Sequence, residues 1–325
     1  MADNLNPRSL IIDCDPGVDD FVALMMAFAR PEQLNVLGVT TVAGNVAPEF
    51  TQTNARRACE IAGRMDVPVF AGCPRPMLKK LKTEEVVHGI CGLGGADLPS
   101  PTMPLQKTHA VDFIIDTLMS TKAPITMATT GPMTNLATAI VKEPRILHNI
   151  DEIVSMGGAM TLGNITPAAE YNFFCDPHAA RIVFSSGKKI KLMSLDLTHN
   201  VVTSRDWLEC IHDLGNPVSR AVYQMLSFFH VYDTEHFGTS GGVLHDPCVI
   251  GYLLAPKLFQ GKDVHVEIDT TDGITGGRSI IDFWDRRGLE INAHVFDKVD
   301  VHGFFTLLTT LIESYGKTKK LQQAS

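Results

Sequence analysis

SLIIDCDPGVDDFVALMMAFAR, residues 9–30, holds the plan of the fold in one stretch. Its opening residues, SLIID, make a short apolar run that reads as a buried strand. From Asp19 onward apolar residues recur every three or four positions, the spacing of a helix with one buried face. Pro16-Gly17 turns the chain between the two. Four acids, Asp13, Asp15, Asp19 and Asp20, fall within eight positions across this junction. Carboxylates so close disfavour each other's ionised forms, and a fold gains little from collecting them. The positive end of a helix dipole accounts for Asp19 and Asp20, but not for Asp15 as well.

The strand–turn–helix unit repeats outward from this point. Residues 35–42, 67–70, 125–129, 152–156 and 189–195 read as further strands, and 48–63, 109–120, 133–141 and 176–186 as helices with one apolar face. Alternation of this kind implies right-handed crossovers and an α/β fold: an open, mainly parallel, Rossmann-like sheet covered by helices on both faces. After residue 200 the pattern is helical over 205–232 and 247–255. VHVEID, RSIIDFW and NAHVFD then suggest a small antiparallel extension near the C-terminus, followed by a helix over 300–315. Residues 317–325 read as a flexible tail, and no linker or repeat divides residues 1–325, which are expected to form a single domain.

Composition excludes several classes of function. The net charge is −8 and the one basic cluster is the terminal GKTKKLQQ, so a phosphate-binding face for nucleic acid is not expected. MADNLNPRS lacks the basic and apolar regions of a signal peptide, and no window approaches the roughly 18–20 apolar residues of a membrane span. The seven cysteines are scattered without a C-x-x-C pair, as expected of reduced thiols in a cytoplasmic protein.

Open α/β sheets bind ligands beyond the carboxyl ends of their strands. The turns after the strands are polar or glycine-rich in this chain: Asp13 to Asp20, then AGN with Asn45, TGPMTN with Thr130, and GGAM leading to GNITPAAEYN. The acids have no neighbouring lysine or arginine and no Cys or His at metal spacing, so the cation they call for is hard, Ca²⁺ or Mg²⁺. Asp246-Pro247 has the form of an N-cap followed by proline at the first helical position, and so has Asp176-Pro177. On the residues alone the two acids are equally structural, and His245 is one of twelve histidines.

DCDPGVDD (13–20), TTVAGN (40–45), MGGA (156–159), GNITPAAEYN (163–172) and HDPC (245–248) together resemble the inosine-uridine-preferring nucleoside hydrolases, in order from about residue 9 to about residue 310. The resemblance implies hydrolysis of the N-glycosidic bond of inosine-, uridine- or cytidine-type ribonucleosides around one Ca²⁺. It implies that Asp15 is the general base, acting on a water held by the cation, and a metal ligand together with Asp20, Asp246 and the carbonyl of Thr130. Asp19, Asn45 and Asn172 would bind the ribose hydroxyls, Asn164 and Glu170 the 5′-hydroxyl, and Met156 would line the ribose pocket. His88 and His245 would flank the base, with His245 able to carry charge near neutral pH and assist the leaving group. Asp13 would either support the acids from behind or be purely structural, and the resemblance implies a homodimer or homotetramer.

Departures from the family pattern bear on base preference. Ile90 and Cys91 stand where Glu-Ser is frequent, Tyr171 where phenylalanine is common, and Trp207 and Trp284 fall in no matching motif, which argues against a purine-specific type. A pyrimidine preference is the alternative. Tyr232 and His236 lie where the family has a mobile flap over the base. Two other readings compete. A phosphatase of the Asp-x-Asp type would use Asp13 and Asp15, but Pro16-Gly17 replaces the usual continuation. A non-catalytic, calcium-dependent nucleoside-binding protein could dispense with Asp15.

Overall fold

A computed structural model describes the backbone of residues 7–322, and the side chains of 7–316 except Phe237. The strands are β1 (Arg8–Cys14), β2 (Leu34–Thr41), β3 (Val69–Ala71), β4 (Ile125–Thr129), β5 (Ile150–Met156), β6 (Ile190–Met193), β7 (Phe259–Val264), β8 (Val266–Ile268), β9 (Ser279–Ile281) and β10 (Ala293–Val299). The first seven helices are α1 (Val18–Phe28), α2 (Pro48–Ile61), α3 (Glu85–His88), α4 (Ala110–Ser120), α5 (Thr134–Lys142), α6 (Tyr171–Cys175) and α7 (Pro177–Phe184). They are followed by α8 (Leu195–Thr198), α9 (Arg205–Asp213), α10 (Pro217–Phe237), α11 (Pro247–Leu254) and α12 (Val301–Gln322).

The main sheet has the order β3-β2-β1-β4-β5-β6-β10-β7, parallel except for β7, and β8 and β9 form a separate antiparallel pair. β1 lies between β2 and β4, pairing Asp13 with Thr40 on one side and Thr129 on the other. Strand order reverses there, so the crevice beyond β1 and β4 is the switch point at which such sheets bind ligands. The pleat sends alternate β1 side chains to opposite faces. Leu10, Ile12 and Cys14 join a core with residues of α1, α2, α10, α11 and α12, while Ile11 joins another with residues of α4, α5 and α7.

The structure corrects several expectations. All eleven residues of α1 are buried, not one face, because α2, α10, α11 and α12 pack around it. A helix apolar nearly all round belongs inside a core. The helix expected over 205–232 is two. Gly215 takes φ of +64°, Asn216 caps α10 by accepting the N–H of Ser219 at 2.9 Å, and Pro217 opens it. β6 ends at Met193, and residue 195 of the expected strand begins α8. NAHVFD lies in β10, which is parallel to β6, and the antiparallel edge strand is β7, a segment that the sequence pattern did not single out. In the segment expected as a tail, the backbone of 317–322 continues α12, and residues 323–325 lie outside the described residues. No described helix is long and apolar enough to cross a membrane.

Asn216 also donates from Nδ2 to the Ile312 carbonyl at 3.0 Å, tying α10 to α12. Asn216→Ala is expected to destabilise the protein by about 1–2 kcal/mol, the sum of a lost cap and a lost buried hydrogen bond. Asn216→Ser keeps a cap and loses only the bond to Ile312, so it should lose about half as much. A urea midpoint unchanged in the alanine variant would contradict this account.

Candidate active site

At the end of β1 the chain turns through Pro16-Gly17 into α1, whose first turn holds Asp19 and Asp20. Asp20 Oδ2 accepts the Gly17 N–H at 3.0 Å and the Asn45 Nδ2 amide at 3.1 Å, and Oδ1 accepts the Thr130 hydroxyl at 2.8 Å. Asp15 Oδ2 accepts the Asn45 N–H at 2.7 Å, while the buried Oδ1 has no hydrogen-bond partner among the described residues. Two glycines make room for this carboxylate. A Cβ at Gly44 would lie 2.0 Å from Oδ2, and one at Gly131 would lie 2.4 Å from Oδ1.

Asp246 joins from the start of α11, and ligand oxygens of Asp19, Asp20 and Asp246 lie within 4.8 Å of one another. Here Asp176 and Asp246 part. Asp176 Oδ1 accepts the Ala179 N–H at 3.1 Å, and Oδ2 accepts from the Met77 N–H at 2.9 Å and the Thr134 hydroxyl at 2.7 Å. It is a structural cap. Asp246, at the equivalent position of α11, has helical dihedrals and makes no side-chain cap. Its carboxyl turns to the acids instead.

Burial pushes all four acids up, reinforced by neighbouring carboxylates at Asp15, Asp19 and Asp246 and partly offset at Asp20 by the hydrogen bonds it accepts. Asp19 rises to about 7, from desolvation first and Asp20 second, and Asp15 and Asp246 rise well above the usual range. Asp13 is a separate case. It accepts the Thr40 hydroxyl at 2.6 Å and Asn135 Nδ2 at 2.8 Å, yet desolvation still raises it to about 6. The donors around Asp15 and Asp20 are neutral, and no lysine or arginine among the described residues lines the adjoining cavity. Clustered oxygen donors with a buried, unpartnered carboxylate oxygen fit a hard divalent cation.

The cavity, of about 370 Å³, opens beside these acids. Of the residues singled out from the sequence, Asp19, Asn45, His88, Thr130, Met156, Asn164, Glu170, Asn172, His245 and Asp246 line it. Asp15 and Asp20 do not; they are joined to it through hydrogen bonds from Asn45 and Thr130. The tight triad of acids thus contains Asp19, where Asp15 was expected as a ligand. The Thr130 carbonyl, also expected on the metal, accepts Asn172 Nδ2 at 2.7 Å. Glu170 is the N-cap of α6, its two oxygens taking the N–H groups of Asn172, Gly158 and Phe173 at 2.7, 2.8 and 3.1 Å, and burial raises it to about 7. Asn164 Oδ1 accepts the Tyr171 N–H at 2.9 Å.

Both expected histidines are neutral. His88 Nδ1 accepts the Val18 N–H at 3.2 Å, which places its proton on Nε2, and burial lowers it to about 3. His245 Nδ1 lies 2.8 Å from the Thr198 hydroxyl, and burial, then His199 and His88, lower it to about 3. Burial and the two neighbouring imidazoles thus work against the charged His245 expected near neutral pH, although its ring is part-buried and lines the cavity.

Other expectations divide. Tyr232 and Tyr171 line the cavity, whereas His236 does not and stacks on Tyr232 with ring centroids 4.2 Å apart. Ile90 points to solvent and Cys91 does not line the cavity, so the departure at those positions lies outside it. Trp207 donates to Thr309 and Trp284 is exposed, and neither reaches the cavity. His199, Phe229 and Asp233 line it and were not singled out from the sequence. His199 follows α8 just beyond β6, so extending the strand-end reading to that strand would have found it. The α10 residues gave no such signal.

Acids whose folded pKa is raised bind protons more readily folded than unfolded, so they make stability fall as pH rises from their unfolded to their folded values. Chelator-treated protein is therefore expected to melt at lower temperature at pH 7 than at pH 5, from the rises to about 7 at Asp19 and Glu170 and about 6 at Asp13. At pH 7, Asp246→Asn should raise that melting temperature by removing one repelling charge. Asp176→Asn should lower it, costing roughly 2 kcal/mol because an amide N–H₂ then faces N–H and O–H donors. Equal destabilisation by both would refute the distinction.

A family model described as inosine-uridine preferring nucleoside hydrolase matches residues 10–306. An uncharacterised protein of Schizosaccharomyces pombe is 43% identical over 310 residues, covering 95% of this chain and 99% of its own. A pyrimidine-specific ribonucleoside hydrolase RihA of Shewanella sp. (strain MR-4) is 41% identical over 312 residues, covering 96% and 98%. Among solved structures, a purine-preferring ribonucleoside hydrolase from Gardnerella vaginalis matches with a TM-score of 0.89 and 31% identity, covering 96% of this chain and 100% of its own. With the acids at the end of β1 and the cavity beside them, these matches show that the chain belongs to the inosine-uridine-preferring nucleoside hydrolase family, enzymes that cleave N-glycosidic bonds.

Proposed function

We propose that this enzyme is a calcium-dependent hydrolase of ribonucleosides, with pyrimidine ribonucleosides preferred and inosine as the broader range. The observation that carries the reading is the cluster of buried acids without a basic partner, opening on a cavity within the roughly 300–1,000 Å³ of small-molecule sites. The pyrimidine preference draws on the RihA relative and on the absence of tryptophan among the described residues that line the cavity.

Asp15, Asp20, Asp246 and the Thr130 carbonyl would hold Ca²⁺, which when bound offsets the carboxylate charge and lowers the pKa of water at the site. Asp15 accepts the proton of the attacking water at Oδ1, the oxygen with no other partner among the described residues. Asp19, Asn45 and Asn172 take the ribose hydroxyls, and Asn164 with Glu170 takes the 5′-hydroxyl. Because Glu170 is already engaged by three N–H groups, its part is to fix Asn172 and α6 as well as to accept from the sugar. As the C1′–N bond breaks, positive charge grows on the ribosyl ring, and the surrounding carboxylates stabilise it more than they stabilise the neutral substrate. His88 presents Nε2–H towards the cavity, and His245, neutral as well, hydrogen-bonds the departing base without pre-loading it with a proton. A homodimer or homotetramer in the cytoplasm is part of the same reading, and light scattering tests the assembly.

The decisive assay measures free ribose from uridine, cytidine, inosine and 2′-deoxyuridine, with and without chelation. Ribose is expected from uridine and cytidine but not from the deoxy compound. Chelation should abolish it, and calcium should restore it. Asp15→Asn should reduce kcat by about 10²–10⁴-fold, the usual contribution of a general base. Added calcium should raise the melting temperature of the wild type but not of Asp246→Asn. Bound calcium with no ribose from any substrate would instead identify a binding protein.

A further inference from the structure

Among the described residues, Asp233 is the one acid lining the cavity that neither the proposed metal site nor the proposed ribose contacts use and that has no lysine or arginine partner; the His236 imidazole, three residues on, only partly offsets the effect of its burial. It projects from α10 together with Phe229 and Tyr232, positions within one turn on the same helical face. The Phe229 ring is 5.2 Å from that of His88. Asp233 Oδ2 accepts the Val243 N–H at 2.8 Å, two residues before His245. The carboxyl is thus fixed between the elements that carry the two histidines. It is 5% exposed, and its Oδ1 accepts no hydrogen bond from a described residue. Glu84, the nearby cavity acid, differs: the Lys82 ammonium lies 3.5 Å from its carboxylate.

We infer that Asp233 selects nucleosides whose base carries an exocyclic amine, cytidine over uridine, by presenting a fixed carboxylate oxygen to that amine. The inference rests on the reading of this cavity as a ribonucleoside site. Cytosine offers N4–H₂, a donor that a carboxylate accepts, where uracil offers O4, an acceptor that the same carboxylate repels. The cavity has no lysine or arginine among its described lining residues to reverse this preference. Burial raises Asp233 to about 6, so above that pH it stands as the acceptor the inference needs.

Asp233→Asn is the informative variant, because its amide oxygen can keep the Val243 N–H while its N–H₂ replaces the free oxygen. Nucleoside affinities are measured by calorimetry at pH 7.5 with calcium, in an Asp15→Asn background that prevents turnover, and ribose release is followed separately in the Asp15 enzyme. The wild-type Asp233 protein is expected to bind cytidine more tightly than uridine, and Asp233→Asn should shift the cytidine-to-uridine ratio towards uridine by about tenfold or more. An unchanged ratio or equal weakening for both nucleosides, as expected if Asp233 only holds Val243, overturns the inference, and so does a shift towards cytidine, as expected if Asp233 accepts N3–H of uracil. Absence of ribose release from the Asp15 enzyme would refute the hydrolase reading alone, since the affinity ratio still decides the role of Asp233.

Discussion

Four carboxylates, those of Asp15, Asp19, Asp20 and Asp246, are buried together at the end of β1, and the donors that hold Asp15 and Asp20 in place are neutral. This constraint organises the surroundings. Each of these donors has to come from a different element: Asn45 follows β2, Thr130 follows β4, and the Gly17 N–H belongs to the turn itself. Gly44 and Gly131 are held to hydrogen by the same carboxylate, since even a methyl group would overlap it. A basic residue would relieve the repulsion more simply, but it would fill the place where the proposed function puts positive charge, from a cation or a developing ribosyl cation.

The low dielectric that makes the acids costly also silences the histidines. His88 serves as an acceptor for the first N–H of α1, and His245 rests on a threonine in α8, so both rings are oriented by hydrogen bonds to fixed elements rather than by charge. A neutral imidazole on a cavity wall is a directional hydrogen-bonding group, suited to holding a base in place. Such fixed neutral groups, with Asp233 on α10, line the same cavity as Asp19 and Asp246.

Asp176 and Asp246 show how far local sequence reaches. Both precede proline at the start of an eight-residue helix, and their neighbours in the chain offer no ground to separate them. Asp176 meets donors from Met77, Thr134 and Ala179, and becomes a cap. Asp246 arrives at the switch point, where Asp19 and Asp20 are already placed, and its side chain abandons the cap. Family resemblance assigned the two acids different parts, but the physical cause of their difference is tertiary.

Short windows of the chain are enough to set the alternation of strands and helices, the polar turns at the strand ends, and the concentration of acid after β1, because these depend on periodicity and turn chemistry among near neighbours. The break at Gly215-Asn216-Pro217 belongs with them, since a stricter reading of cap signals would have found it. Other outcomes had to wait for the assembled fold: β10 inserts between β6 and β7, α1 is buried all round, His88 and His245 are neutral, and Asp233 faces the cavity. They depend on which distant elements pack together and how much water they exclude, and no local pattern encodes either.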